Sequence, residues 1–252
     1  LFFTNKGKCY WLKVRQIPQA SRTSQGRAII NLIGCEPGEQ VQAFLPVSEF
    51  DDTKYIIMAT KNGAINRTSL SLYSKPRKGG VFAMEIREGD QLIQAKVSNG
   101  EDDIIMATKN GKSIRFEELQ VRPTGRRTKG VRGIKLSNDD EVIGMLVVKR
   151  DGSVLVASEN GYGKRSLLDE YRTQSRGGKG VYTMKKTPKT GKLVTILETT
   201  DEDDLMIITN AGVMIRQKVE SIRVIGRNTQ GVKLLRLDDG SKISSVTKVM
   251  ND

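Results

Sequence analysis

A stretch of about fifty residues is written five times along this chain. That restricts the fold to an array of like units sharing one continuous core. Each copy turns on a glycine: Gly7, Gly63, Gly111, Gly161 and Gly212, at spacings of 56, 48, 50 and 51 residues. Three of the approaches nearly coincide: Ile56-Ile57-Met58-Ala59-Thr60-Lys61-Asn62, Ile104-Ile105-Met106-Ala107-Thr108-Lys109-Asn110 and Leu205-Met206-Ile207-Ile208-Thr209-Asn210-Ala211. A length of 252 residues would otherwise suggest one or two independent domains. With a shared core the copies are blades of a single domain, placed at 1–48, 49–99, 100–148, 149–197 and 198–252. The chain opens at Leu1 without Met, in mid-strand by pattern, and reads as a piece of a longer protein.

The third copy shows how one unit is built. Glu101-Asp102-Asp103 is an acidic turn, and Ile104 to Thr108 a short apolar strand. Lys109-Asn110-Gly111 is a hairpin turn, expected as type I′ because Asn-Gly tolerates positive φ. Ser113 to Phe116 returns, Pro123 to Gly130 is a loop of Arg, Gly and Lys, and Val131 to Leu136 alternates as a half-buried strand. Val142 to Val148 is a last, apolar strand. Four short strands and no helix-length amphipathic run predict an all-β chain, a β-propeller-like disc of four-stranded blades. A linear β-solenoid is the rival, with repeats that are usually shorter.

The side chains narrow the function. Lys and Arg number 42 against 29 Asp and Glu, a net charge of +13, which points to a polyanionic partner or surface. The chain has no His, which removes the commonest general base and the commonest metal ligand. Cys9 and Cys35 lack metal spacing and read as free, reduced thiols of a cytoplasmic protein. No apolar run reaches the ~20 residues of a membrane span.

Offsets from the anchor glycines hold across copies. Ten residues on stand Ile17, Tyr73, Val121, Tyr171 and Ile222, expected core anchors. Four residues on stand Arg67, Arg115, Arg165 and Arg216, with Trp11 in the first copy. These arginines are either solvated strand ends or, as a set at one radial position, phosphate contacts. Nineteen residues on stand Gly26, Gly130, Gly180 and Gly231, and at seventeen Gly80. The loops ending there carry Arg22 and Arg27, Arg77 and Lys78, Arg126, Arg127 and Lys129, Arg176 and Lys179, and Arg227. The fullest is Gln174-Ser175-Arg176-Gly177-Gly178-Lys179-Gly180. Glycine-freed backbone beside Arg and Lys makes an anion cradle. GxxxxGK[ST] is absent, and Gly161-Tyr162-Gly163-Lys164-Arg165 sits in a hairpin with no helix to follow. Repetition favours a long phosphate polymer over a nucleotide. Aromatic residues are 5% and do not punctuate the loops, which favours duplex over single strands. Acidic runs such as Asp201-Glu202-Asp203-Asp204 recur at one turn and read as solvated hairpin ends, not acid/base pairs.

The five repeats, the 174–180 loop, Gly161-Tyr162-Gly163-Lys164-Arg165 and Gly226-Arg227-Asn228-Thr229-Gln230-Gly231-Val232 together resemble the C-terminal domain of the A subunit of bacterial DNA gyrase. The 174–180 loop is similar to that family's box motif, Gln-basic-basic-Gly-Gly-basic-Gly, with Ser175 at the first basic place. The resemblance implies a β-pinwheel, whose blades exchange strands, with duplex DNA wrapped around a basic rim in support of ATP-driven negative supercoiling. It implies that the cleaving tyrosine, the metal and the ATP lie elsewhere in the enzyme, so this domain is non-catalytic and without cofactor. It also implies three partners: duplex DNA, the remainder of the gyrase A polypeptide, and the gyrase B polypeptide. A monomeric isolated domain and a bacterial cytoplasmic, nucleoid-associated setting without membrane follow from the same resemblance. The family usually has six blades with its main box in the first, and the five copies align with the later five. Either a first blade is missing or the protein has five, with a ring closed by Ile243 to Val249 pairing near Leu1–Thr4 or an open, gapped disc. Two alternatives stay open: the corresponding domain of topoisomerase IV, which would wrap DNA less, and a protein-interaction propeller.

Overall fold

Runs of β-branched and apolar residues five to seven long, cut by Gly, Asp and Asn, make short strands the dominant element. The computed structural model describes residues 1–21, 23–149 and 152–249. They fall into two compact units. One is Leu1–Glu101 with Val121–Arg132, the other Asp102–Gln120 with the described residues from Gly133 onward.

The first unit holds β1 (Phe2–Thr4), β2 (Lys8–Tyr10), a short helix α1 (Ile29–Ile33), β3 (Val41–Phe44), β4 (Tyr55–Thr60), β5 (Ala64–Ser69), β6 (Val81–Phe82) and β7 (Leu92–Ser98). The second unit begins with β8 (Asp103–Thr108) and β9 (Lys112–Glu117), and β10 (Val131–Arg132) belongs to the first. The second continues with β11 (Val142–Val147), β12 (Ser153–Ser158), β13 (Tyr162–Leu167), β14 (Val181–Tyr182), β15 (Leu193–Thr199), β16 (Asp204–Thr209), β17 (Met214–Lys218), β18 (Val232–Lys233) and β19 (Ile243–Val249).

Strand order explains why the sheets cut across the sequence repeats. The first unit has β3-β1-β2-β6 and β10-β5-β4-β7; the second has β11-β8-β9-β14, β15-β12-β13-β18 and β17-β16-β19. In the first four sheets the outermost strand is the two-residue strand that follows the basic loop of the next repeat: Val81↔Cys9, Val131↔Ile65, Val181↔Ser113 and Val232↔Gly163. The fifth sheet has three strands, since no later repeat follows it among the described residues. This corrects the expectation of four strands in every blade. Without a covering strand β17 is largely exposed, whereas the equivalent β5 is buried almost throughout. The homologous segment of the first copy, at Arg27-Ala28, runs into α1 instead of a strand. β19 pairs with β16, and β1 has β2 and β3 on its two edges.

The hairpin turns are not type I′. Gly63, Gly111 and Gly161 have φ of 85°, 87° and 83°, while the preceding Asn62, Asn110 and Asn160 are not among the residues of positive φ. Gly63 N–H donates to Thr60 O at 3.0 Å, giving a three-residue loop closed by a left-handed glycine. The asparagine backbone is pinned from outside: Asn62 and Asn110 N–H donate to the carboxylates of Asp90 and Asp140, both at 2.9 Å.

The cores follow the offsets. Tyr73, Val121, Tyr171 and Ile222 are buried, Tyr73 packing edge-on against Phe3 with ring centroids 6.0 Å apart. Each packs with residues of the preceding copy where the partners are described: Tyr171 with Ile105, Ile222 with Leu155. Ile17, expected in the core, is 45% exposed, because the first copy has no preceding sheet among the described residues.

Candidate nucleic-acid interface

From the second copy on, each basic loop lies on the sheet of the repeat before it. In the 174–180 loop, Gln174 N–H donates to Arg115 O at 2.8 Å and Gly177 N–H to Gly133 O at 2.8 Å. Lys135 N–H donates to Gly178 O, also at 2.8 Å. Gln120 clamps the middle: its Oε1 accepts from Arg176 N–H at 2.7 Å and its carbonyl from Arg176 Nε at 3.1 Å. The Gln174 amide Nε2 is buried without a hydrogen-bond partner among the described residues, so this side chain turns inward. Gly180 takes φ +69°, and a Cβ there would stand 2.3 Å from Ser113 O. The closing glycines Gly130 and Gly231 meet Ile65 O and Gly163 O in the same way, at 2.4 and 2.6 Å. These glycines are therefore needed for strand docking, whatever the loop binds. Lys179 is exposed at the loop tip, and Arg176 is half-buried.

The 122–130 loop hangs on β5. Thr124 N–H donates to Arg67 O at 2.9 Å, its hydroxyl to Asn66 Oδ1 at 2.7 Å, and Asn66 Nδ2 to Thr128 Oγ1 at 3.0 Å. Arg126 lies 5.9 Å from the Tyr73 ring centre and Arg127 5.2 Å from that of Phe82; Lys129 pairs with Glu85 at 3.3 Å. Arg77 and Lys78 are exposed on the neighbouring loop. Lys8, Arg77, Arg126 and Arg127 with Phe82 and Gly80 line a cleft of about 540 Å³. The 223–231 loop hangs on β13, where Ile225 N–H donates to Arg165 O at 2.9 Å and Lys164 Nζ to the carbonyls of Gly226 and Arg227. Burial holds the Lys164 ammonium down at about 8; nearby Arg227 adds to the lowering and Glu170 opposes it. Arg227 is half-buried and donates to Glu170 O and Tyr182 O. Arg27 is exposed, and Arg22 lies outside the described residues.

The arginines four residues after the anchors do a different job. Arg67 is 4% and Arg165 6% exposed. Arg67 donates to Gly100 O and stacks 3.9 Å from the Tyr55 ring centre. Arg115 donates to Tyr171 O at 3.2 Å, Arg165 to Ile222 O at 2.8 Å, and Trp11 Nε1 to Tyr73 O at 2.8 Å. In these three copies the residue caps the carbonyl of the next repeat's core anchor, which is why an indole can stand in for a guanidinium. Their other partners are the acidic turns: Arg115 with Asp103, Arg165 with Asp201, Arg216 with Asp204. Asp203 and Asp204 are 3% and 6% exposed and act as braces, while Asp201 and Glu202 of the same run are exposed, as the sequence suggested. Arg216 alone of the four is largely exposed, on the bare strand β17.

Sequence reading missed Phe82 and Tyr182, which immediately follow the loops and are 41% and 49% exposed. The available signal was their shared place two residues after Gly80 and Gly180.

Basic loops laid one repeat back on antiparallel sheets define an all-β domain of the propeller class. The profile described as DNA gyrase C-terminal domain, beta-propeller, matches residues 1–48, 54–99, 102–149, 152–200 and 203–250, and the chain belongs to this family. The A subunit of DNA gyrase from Salmonella typhimurium is 41% identical over 249 residues, covering 99% of this chain and 28% of that protein. Its counterpart from Staphylococcus epidermidis is 44% identical over 252 residues, with the same coverages of 99% and 28%. The chain thus spans 28% of the length of these relatives. Among solved structures, a C-terminal domain of DNA topoisomerase IV superposes with a TM-score of 0.90 at 25% identity, covering 99% of this chain and 78% of that one. A DNA gyrase A C-terminal domain superposes with a TM-score of 0.86 at 26% identity, covering 99% and 81%. Among the described residues no helix is long and apolar enough to cross a membrane.

Proposed function

We propose that this chain binds, bends and wraps duplex DNA without sequence preference, as the C-terminal domain of a gyrase A polypeptide. In the holoenzyme it would work with the gyrase B polypeptide in ATP-dependent negative supercoiling, the ATP and metal chemistry residing outside this domain. The observation that carries the reading is the repeated basic loop, docked by backbone bonds on the preceding sheet, with Arg77, Lys78, Arg127, Lys129 and Lys179 exposed on it. Arg77, Lys78, Arg126, Arg127, Lys129 and Lys179 are the proposed phosphate contacts, with Arg27, Arg227 and Arg216 beside them. The glycines and Gln174 shape the loops, and Arg67, Arg115 and Arg165 brace them. Phosphate contacts position a duplex without reading its sequence. Bending a short site through 40–90° costs on the order of 1–6 kcal/mol, so several loops must act together.

Duplex affinity measured across a salt series should fall steeply, with a log–log slope of about −0.9 per phosphate neutralised. Lys179→Ala should make that slope about 0.9 shallower without lowering the melting temperature. A flat slope for the unmodified chain defeats the reading. The TM-score of 0.90 to a topoisomerase IV domain keeps a second reading, binding with little wrapping. Relaxation of circular DNA in the presence of the chain separates the two, since only the wrapping domain leaves constrained supercoils.

A further inference from the structure

We propose that Phe82 and Tyr182 belong to the DNA-contacting surface, each ring packing on the deoxyribose edge of a backbone strand whose phosphates the adjoining cations hold. The inference rests on the duplex-binding reading above. Both residues are the second position of the strand donated to the preceding sheet, β6 and β14. Strand alternation turns that position outward, and the same place in β10 and β18 carries the exposed Arg132 and Lys233. The fold therefore does not require an aromatic here, since cations serve at the two sister sites. An exposed ring that the core does not need is a candidate contact.

The surroundings of the rings point to the ligand. Phe82 has Arg127 at 5.2 Å from its ring centre, with the buried Lys8, ion-paired to Glu36, at 5.5 Å, and lines the cleft between the loops bearing Arg77 and Arg126. Tyr182 has Lys112 at 5.6 Å, and its carbonyl accepts from Arg227. A cation-lined cleft with one apolar wall does not suit a bare phosphate, which offers charge alone. A sugar–phosphate backbone alternates anionic groups with apolar sugar faces, which matches rings interleaved with cations. Such contacts add a component of affinity that salt does not screen, whereas the phosphate contacts weaken as counterions return.

The test compares the full chain with Phe82→Ala/Tyr182→Ala and with Phe82→Lys/Tyr182→Lys, on a duplex of mixed sequence over a salt series. Lysine is native at the sister position Lys233, so the second pair should keep the fold, as a thermal melt would check. The alanine pair should lose about five-fold in affinity per ring at every salt concentration with an unchanged slope, as for loss of a small apolar contact. The lysine pair should steepen the slope yet bind more weakly than the parent at high salt. Tyr182→Phe should bind as the parent does. Unchanged affinity in the alanine pair, or tighter binding by the lysine pair at all salts, overturns the inference and leaves duplex binding standing. A parent chain that binds no duplex overturns both.

Discussion

A lysine buried against backbone carbonyls shows how much of the recurring basic character is structural. Lys164 is fully buried and holds the carbonyls of Gly226 and Arg227, which fixes the start of the 226–231 loop. The same place carries Asn66, which grips Thr128, and Ile114, where Gln120 clamps the loop instead. Burial lowers the Lys164 pKa to about 8, so the folded state disfavours its charge. Below that pH the lysine is protonated whether folded or unfolded, and the full cost is present. Above it the folded state sheds the proton while the unfolded chain retains it, so stability rises with pH. Cys9 acts oppositely: its thiol, pushed up by burial to about 12, lets stability fall once the unfolded thiol ionises above its ordinary 9.0. Urea midpoints should therefore rise between about pH 8 and pH 9, and Lys164→Met should flatten that rise. A midpoint falling through that interval in the parent would refute this account.

At the scale of the element, the donated strand and its closing glycine are the joint between successive repeats. Gly180 has a left-handed φ and would place a Cβ 2.3 Å from Ser113 O, while Gly26 has φ +67° with nothing within 4 Å. Gly26→Ala should cost only the left-handed penalty of about 1–2 kcal/mol. Gly180→Ala should cost roughly 1–2 kcal/mol more, because the Val181↔Ser113 pairing must open to admit the methyl group. Equal losses in chemical denaturation would show that the joint does not depend on this close approach. The glycine spacing and the short-strand character were legible in the sequence because local chemistry governs turns and alternation. The strand pattern left the partner of each strand unread, and the exchange of strands between blades came only from the family resemblance. A strand's sequence states that it has a buried face, not which repeat supplies the neighbour, so the three-stranded fifth sheet escaped. The buried, inward-bonded places of Arg67 and Arg165 went unread for the same reason. Arg165 looks like a surface cation until the next repeat's Ile222 carbonyl is placed against it.

Over the whole molecule, each repeat completes the one before it, and the last described sheet keeps an uncovered edge at β17. Amide exchange should report this directly. The amides of β17 should lose protection ahead of those of β5, β9 and β13, since an uncovered strand frays at lower free energy. Equal protection across the four strands would mean that something outside the described sheets covers β17. The dependence of each sheet on the following repeat also sets a schedule for the chain as it is made. Synthesis proceeds at about 5–20 residues per second. A sheet can gain its fourth strand only after the next repeat's loop and closing glycine have emerged from the ribosome. Maturation therefore lags translation by part of a repeat at every step, and each basic loop reaches its final shape together with the sheet that its following strand completes.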